Sequence, residues 1–132
     1  MNRCAALSVV VAAAIATATP ALAAGDPPFV GKWAFEGSDA CRPGAGADDL
    51  LLTISAKQAD YYASSCVILS SRRLSRSGDN AYRLKLRCTG EGVTTNSERI
   101  MAVLEKNERR PDLLVHIEPA DWAVTSYLRC AD

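Results

Sequence analysis

Short segments in which apolar and polar residues alternate follow one another along most of this chain, and they constrain its fold more than any other feature. The clearest is Tyr82–Cys88, where apolar and basic residues alternate strictly after a turn signal at Ser77–Asn80. Because successive side chains of an extended strand point to opposite faces, this pattern predicts a half-buried β-strand with Tyr82, Leu84 and Leu86 inside.

Similar segments occur elsewhere, bounded by residues typical of turns. They lie at residues 29–36, 50–55, 58–63, 66–74, 97–104, 113–118 and 122–130. Residues 98–106 also fit an apolar helical stripe, but strand neighbours and short loops favour a strand. The pattern therefore predicts an all-β fold, a small antiparallel barrel or sandwich of seven to eight strands.

The N-terminal 24 residues have the order of a secretory signal peptide. Arg3 precedes an apolar run from Ala5 to Ala18, and small residues flank Leu22 after Pro20. That order is typical of an exported protein, and the run is too short for a confident membrane span. We therefore expect residues 25–132 to form a single β-rich domain, periplasmic or secreted, with no transmembrane segment after signal cleavage.

The cysteines indicate a disulfide framework. Cys4 lies in the leader, and the remaining four are Cys41, Cys66, Cys88 and Cys130. An even number in a small exported chain predicts two disulfides, whereas the absence of a C-x-x-C pair and the single histidine disfavour zinc. Two pairings stay open: Cys66–Cys88 with Cys41–Cys130, or Cys41–Cys66 with Cys88–Cys130.

The first pairing has a geometric requirement. Cys66 and Cys88 flank the Ser77–Asn80 turn, but strict pairing about that turn would place Leu69 opposite Cys88. A β-bulge is needed to bring the two cysteines together.

No catalytic or cofactor constellation is evident in the sequence. His116, the only histidine, is expected on a solvent face, because Leu113, Val115 and Ile117 form the apolar face of its segment. Together with Glu118 it supplies too few ligands for a metal. The acidic residues that could act in pairs are Asp48, Asp49, Glu91, Glu98, Glu118 and Asp121, and we expect them to be solvated surface charges. We predict no enzyme, no metal and no cofactor.

A cluster of basic residues is the most suggestive surface feature. It comprises Arg72, Arg73, Arg76, Arg83, Lys85 and Arg87 on both sides of the turn. Arginine clusters suit phosphate, carboxylate and sulfate groups, although such a face also discourages edge-to-edge strand pairing. The whole chain has 15 basic and 15 acidic residues, and loss of Arg3 leaves a slight acidic excess. This balance disfavours nucleic acid as a partner.

Gly31-Lys32-Trp33 near the start of the exported part carries a family resemblance. A G-x-W on the first strand resembles the opening of lipocalin-like barrels, in which the Trp closes the barrel base. With Cys41 and Cys66 following, the chain also looks like the small bacterial lipocalin-like inhibitors of secreted metalloproteases. It departs from them in two extra cysteines and in the leader Gly25–Pro28, so their inhibitory residues are not carried over.

These observations lead to one functional hypothesis and two alternatives. We expect a non-catalytic exported binding domain whose partner is a protein, a glycan or an anionic envelope component. The alternatives are an inhibitor of a secreted protease or hydrolase and a small hydrolase that uses surface carboxylates. If the domain carries an apolar ligand, its cavity should be lined by Tyr82, Leu84 and Leu86.

Overall fold

The computed structural model describes residues 25–76, 80–107 and 111–131; the predicted signal peptide (1–24) and residues 77–79 of the predicted turn lie outside them. The strands are β1 (Gly31–Phe35), β2 (Leu51–Ile54), β3 (Gln58–Tyr61), β4 (Ser64–Arg73), β5 (Asn80–Gly90), β6 (Val93–Leu104), β7 (Leu113–Glu118) and β8 (Ala123–Arg129). A single turn of 3-10 helix (Asp48–Leu50) precedes β2. No helix in these ranges is long and apolar enough to cross a membrane.

The eight strands form a closed antiparallel barrel in sequence order. Each strand pairs with the next, and β8 returns to β1, where Trp33 faces Arg129 in the ladder. The all-β prediction is confirmed, and the fold is a barrel. The ambiguous region around residues 98–104 is a strand, because β6 pairs with β5 from Val93 to Val103 and leaves no room for a helix.

One end of the barrel, called here the closed end, holds the hydrophobic core. It carries the β2–β3, β4–β5 and β6–β7 connections. The buried side chains there are Phe29, Trp33, Leu52, Ile54, Ala59, Leu84, Leu86, Met101, Val103 and Leu114. Tyr82 packs edge-on against Phe29, with ring centroids 5.1 Å apart. Leu84 and Leu86 therefore belong to the buried core, and none of Tyr82, Leu84 and Leu86 lines the cavity described below.

Gly31, Trp33 and Arg129 close this end together. The Trp33 Nε1 donates to the Phe29 carbonyl oxygen at 2.9 Å, and the Arg129 guanidinium lies 4.1 Å from the Trp33 ring centroid. Arg129 also donates from Nε to Asp112 Oδ2 at 2.8 Å and from Nη1 to the Val30 carbonyl oxygen at 2.9 Å. A Cβ at Gly31, whose φ is +147°, would lie 2.5 Å from Arg129 Nη1. Glycine at this position therefore makes room for the arginine that covers the tryptophan.

A disulfide holds the long β1–β2 connection on the outside of the barrel. Cys41 is bonded to Cys130, and Ala40 and Cys130 are buried against Ala34 on the outer face of β1. This bond closes a sequence separation of 89 residues. The middle of the connection thus lies along the wall, and its last turn, Asp48–Leu50, returns to the end of the barrel opposite the core.

The second disulfide, Cys66–Cys88, joins β4 to β5. These residues face each other directly, and the register changes between Ile68 and Ser70, so Leu69 forms the required bulge. The remaining difference from the register of strict pairing is already present where the ladder begins beside the turn, because Arg73 faces Tyr82 there. Of the two pairings left open, the structure contains Cys66–Cys88 with Cys41–Cys130. Two disulfides indicate that the chain folds in an oxidising environment outside the cytosol.

Candidate functional site at the open end of the barrel

The end opposite the packed core, called here the open end, contains a cavity of about 640 Å³. The β3–β4 and β5–β6 turns, the end of β7 and the Asp48–Leu50 helical turn contribute residues to it. Its walls and rim are formed by Phe35, Asp49, Tyr61, Tyr62, Cys66, Cys88, Glu91, Val93, Thr95, Ser97, Arg99, Glu118 and Tyr127, among others. The volume is in the range of small-molecule sites, about 300–1,000 Å³.

A hydrogen-bonded pair, Tyr61 and His116, separates this cavity from the core. The Tyr61 hydroxyl and His116 Nε2 are 2.9 Å apart, and His116 is only 2% exposed. The prediction of a solvent-facing His116 is wrong: Leu114 and His116 point inward, whereas Leu113, Val115 and Ile117 occupy the outer face. The alternation correctly grouped the residues of each face. The face with Leu113, Val115 and Ile117 was expected to be buried because it is the more apolar one, but it is the outer face.

Burial sets the protonation states of this pair. Desolvation, with the positive charge of Arg99 as the second cause, lowers the pKa of His116 to about 4. Desolvation also raises the pKa of the Tyr61 hydroxyl well above its ordinary value. Both side chains are therefore uncharged near neutral pH, and the floor of the cavity is polar but neutral.

An ion pair lies in the wall above that floor. Arg99 Nη2 is 3.4 Å from Glu118 Oε2, and Arg99 Nη1 donates to the Glu98 carbonyl oxygen at 2.8 Å. The Arg99 side chain is 17% exposed, and its buried Nε has no hydrogen-bond partner among the described residues. Desolvation, followed by the charge of Glu118, raises the pKa of the nearby Tyr127. Among the described residues that line the cavity, Arg99 is the only basic one, and it is already paired with a carboxylate.

The open end of the barrel carries two large exposed aromatic side chains and two residues with an uncommon backbone conformation. Tyr62 is 74% exposed and Trp122 is 71% exposed, at the β3–β4 and β7–β8 turns respectively. In the described ranges, Glu91 and Trp122 are the non-glycine residues with positive φ, at 48° and 59°. This conformation is uncommon for side chains of their size, and both occurrences are at the open end.

The structure separates the predicted acidic residues into two groups. Asp49, Glu91 and Glu118 line the cavity. The others lie outside it: Asp48 lines a groove beneath the β1–β2 connection, Glu98 pairs with Arg83 at 3.7 Å, and the Asp121 carboxylate accepts the Ala123 N–H at 3.0 Å. Asp49 and Glu91 are exposed and the Glu118 side chain is 40% exposed, so these three are solvated as expected, although barrel closure brings them to one cavity.

The predicted basic patch is partly assembled. Arg72 lies opposite Arg83 across the β4–β5 ladder, and Lys85 and Arg87 continue the same outer face. Arg73 lies opposite Tyr82 on the other face, and Arg76 is exposed beyond the end of β4. Glu98 pairs with Arg83 and lies opposite Lys85, so a carboxylate interrupts the row. The anion-binding role of these six residues stays a prediction.

The cavity was not predicted from the sequence. Tyr61, Arg99, His116 and Tyr127 come from four strands, and their convergence follows from barrel closure. One signal was available: Thr95, Ser97 and Arg99 share a face with Met101 on β6, so this face turns from apolar to polar partway along the strand. Such a change marks the level at which a barrel interior stops being core.

The arrangement can hold a ligand by aromatic contact and by a few polar groups. Within the described ranges, no group of three or more His, Cys, Asp or Glu residues is placed to hold a metal ion. Comparison of the chain with protein-family models, with curated proteins and with solved structures gave no match.

Proposed function

We propose that this chain is a non-catalytic exported binding domain that takes a small ligand into the open end of its barrel. The observation that carries the proposal is the division of the barrel interior. One half is filled by Trp33 and its neighbours, and the other half is a cavity of about 640 Å³. A stable core below and an accessible, preformed cavity above are what a small-molecule binding protein needs.

The lining supports binding of a ligand with a flat or apolar body. Phe35 and Tyr127 meet edge to face at the cavity wall, with centroids 6.3 Å apart, and Tyr61 closes the floor. Polar groups such as Ser97, Arg99 and Glu118 lie on the wall between these rings and can fix the orientation of the ligand. The resemblance of the Gly31-x-Trp33 strand to lipocalin-like barrels is consistent with this use of the interior.

The test is to fill the cavity without disturbing the strand. Thr95 and Thr94 are neighbours on β6, but only Thr95 lines the cavity. We would export the full-length wild type, Thr95→Trp and Thr94→Trp, expose each to envelope extract and culture supernatant, and measure bound small molecules by native mass spectrometry. The wild type and Thr94→Trp should retain a ligand that Thr95→Trp has lost. A wild type without a bound small molecule, or a ligand retained equally by Thr95→Trp, would contradict the proposal.

A second candidate is inhibition of a secreted protease or hydrolase, favoured by the exposed Tyr62 and Trp122 at the same end of the barrel. Aromatic side chains of this kind often dominate protein interfaces. The leader is a poorer candidate for the contact, because the Pro27 carbonyl oxygen accepts the Val30 N–H at 2.9 Å. A stoichiometric complex with a protease, weakened by a Tyr62→Ala/Trp122→Ala double variant, would support it. Turnover of the bound molecule would instead favour the hydrolase alternative.

A further inference from the structure

We infer that the ligand of this cavity is a small organic cation, an amine carried on a flat apolar body. This inference rests on the proposed binding function and adds the chemical class of the ligand. It depends on the balance of charge in the lining, on the neutrality of the floor and on the aromatic side chains of the wall.

The charges of the lining are predominantly negative. In the described part of the chain, Asp49, Glu91 and Glu118 contribute carboxylates to the lining, and Arg99 contributes its only basic side chain. Glu118 pairs with Arg99, so these two charges offset each other. Asp49 and Glu91 form no ion pair with any other described residue. Two uncompensated carboxylates therefore stand at the rim, where they attract a cation into the cavity.

The deeper part of the cavity does not reverse this preference. His116 is neutral near pH 7, and the Tyr61 hydroxyl stays protonated, so neither contributes charge. An anionic ligand would have to pass the two rim carboxylates and then compete with Glu118 for Arg99. A cation meets no such competition.

The wall suits an organic cation better than a hydrated metal ion. Phe35, Tyr61, Tyr62 and Tyr127 line the cavity together with the Cys66–Cys88 disulfide. Ammonium groups are attracted to the faces of aromatic rings, and the rest of an amine gains from contact with ring and sulfur atoms. A bare metal ion would find two separated carboxylates, far fewer than its usual set of oxygen ligands.

The experiment uses three probes that share one body and differ in charge: phenethylamine, phenethyl alcohol and 3-phenylpropionate. Their dissociation constants for the exported, oxidised protein would be measured by calorimetry at pH 7 and at one ionic strength. We expect the amine to bind at least about tenfold more tightly than the alcohol or the acid. Comparable or tighter binding of either other probe would overturn the inference and leave the proposed function standing.

Variants in which the rim carboxylates are neutralised test whether these residues cause the preference for the amine. Because each rim carboxylate is exposed to solvent, Asp49→Asn with Glu91→Gln should weaken amine binding about three- to tenfold and leave alcohol binding unchanged. Asp48→Asn is the matched control, since Asp48 is adjacent in sequence but lies outside this cavity. An unchanged amine affinity in the double variant would overturn the inference. So would the failure of all three probes to bind at millimolar concentration, whereas the proposed function is decided separately by the Thr95→Trp experiment.

Discussion

The buried His116 gives this protein a specific sensitivity to acid. Its pKa in the folded barrel is about 4, whereas an unfolded chain titrates this group near 6.5. Between these two values the unfolded chain takes up a proton that the folded barrel does not. The contribution of uncharged His116 to the free energy of unfolding is therefore fully present above about pH 6.5, decreases as the pH falls, and is lost at about pH 4. The difference corresponds to about 3 kcal/mol of unfolding free energy.

His116→Gln is the variant that isolates this contribution. Glutamine does not titrate but can still hydrogen-bond to the Tyr61 hydroxyl, which reduces the cost of leaving that buried group unpaired. Urea unfolding of wild type and variant would be followed from pH 7.5 to 4 with both disulfides intact. We expect the wild type to lose about 3 kcal/mol more than the variant across this range.

A direct measurement is also available, because His116 is the only histidine in the chain. Its ring proton resonance can be followed through a pH titration of the folded protein without assignment of the spectrum. A midpoint above pH 6 would refute the reasoning, as would a parallel loss of stability in wild type and variant between pH 6.5 and 4.5.

Three further predictions concern the closed end and the outer disulfide. Gly31→Ala should destabilise the barrel by about 1–3 kcal/mol, because its Cβ would displace the Arg129 guanidinium. Gly25→Ala is the control: a Cβ there has nothing within 4 Å, so thermal stability should change by less than about 0.5 kcal/mol. Arg129→Ala should cost about 3 kcal/mol in urea unfolding, since it removes several hydrogen bonds and the cation over the indole, and an equal stability of variant and wild type would count against this account. Replacing Cys41 and Cys130 with Ser should cost about 4–5 kcal/mol, as expected for a closed segment of 89 residues, and a loss below about 1 kcal/mol would show that the cross-link contributes little.

The sequence contained enough information for the strands because alternation is a local property. Leu113–Glu118 has the bounds expected from its pattern, and the other seven strands overlap their predicted segments. Closure of the sheet into a barrel could not be predicted from such a local pattern. The choice of barrel over sandwich depends on the pairing of β1 with β8, between residues such as Ala34 and Leu128 that are far apart in the chain.

The site was less accessible to sequence reasoning for the same reason. The cavity depends on where the core stops, and that level is set by the combined volume of Trp33, Met101 and Leu114, which no single segment reveals. His116 illustrates the limit: its segment has two plausible faces, and the barrel buries the less apolar one. The pairing of Cys66 with Cys88 likewise depended on a bulge at Leu69, which the residues around this position do not predict.

The position of the β1–β2 connection has a consequence for ligand exchange. Since Cys41 ties this connection to Cys130 on the outer wall, it is not free to fold across the mouth of the cavity. For the ligand of the proposed function, entry then requires no movement of this tethered segment, and association should be limited by diffusion and electrostatic attraction. Residence time is then set by contacts within the cavity.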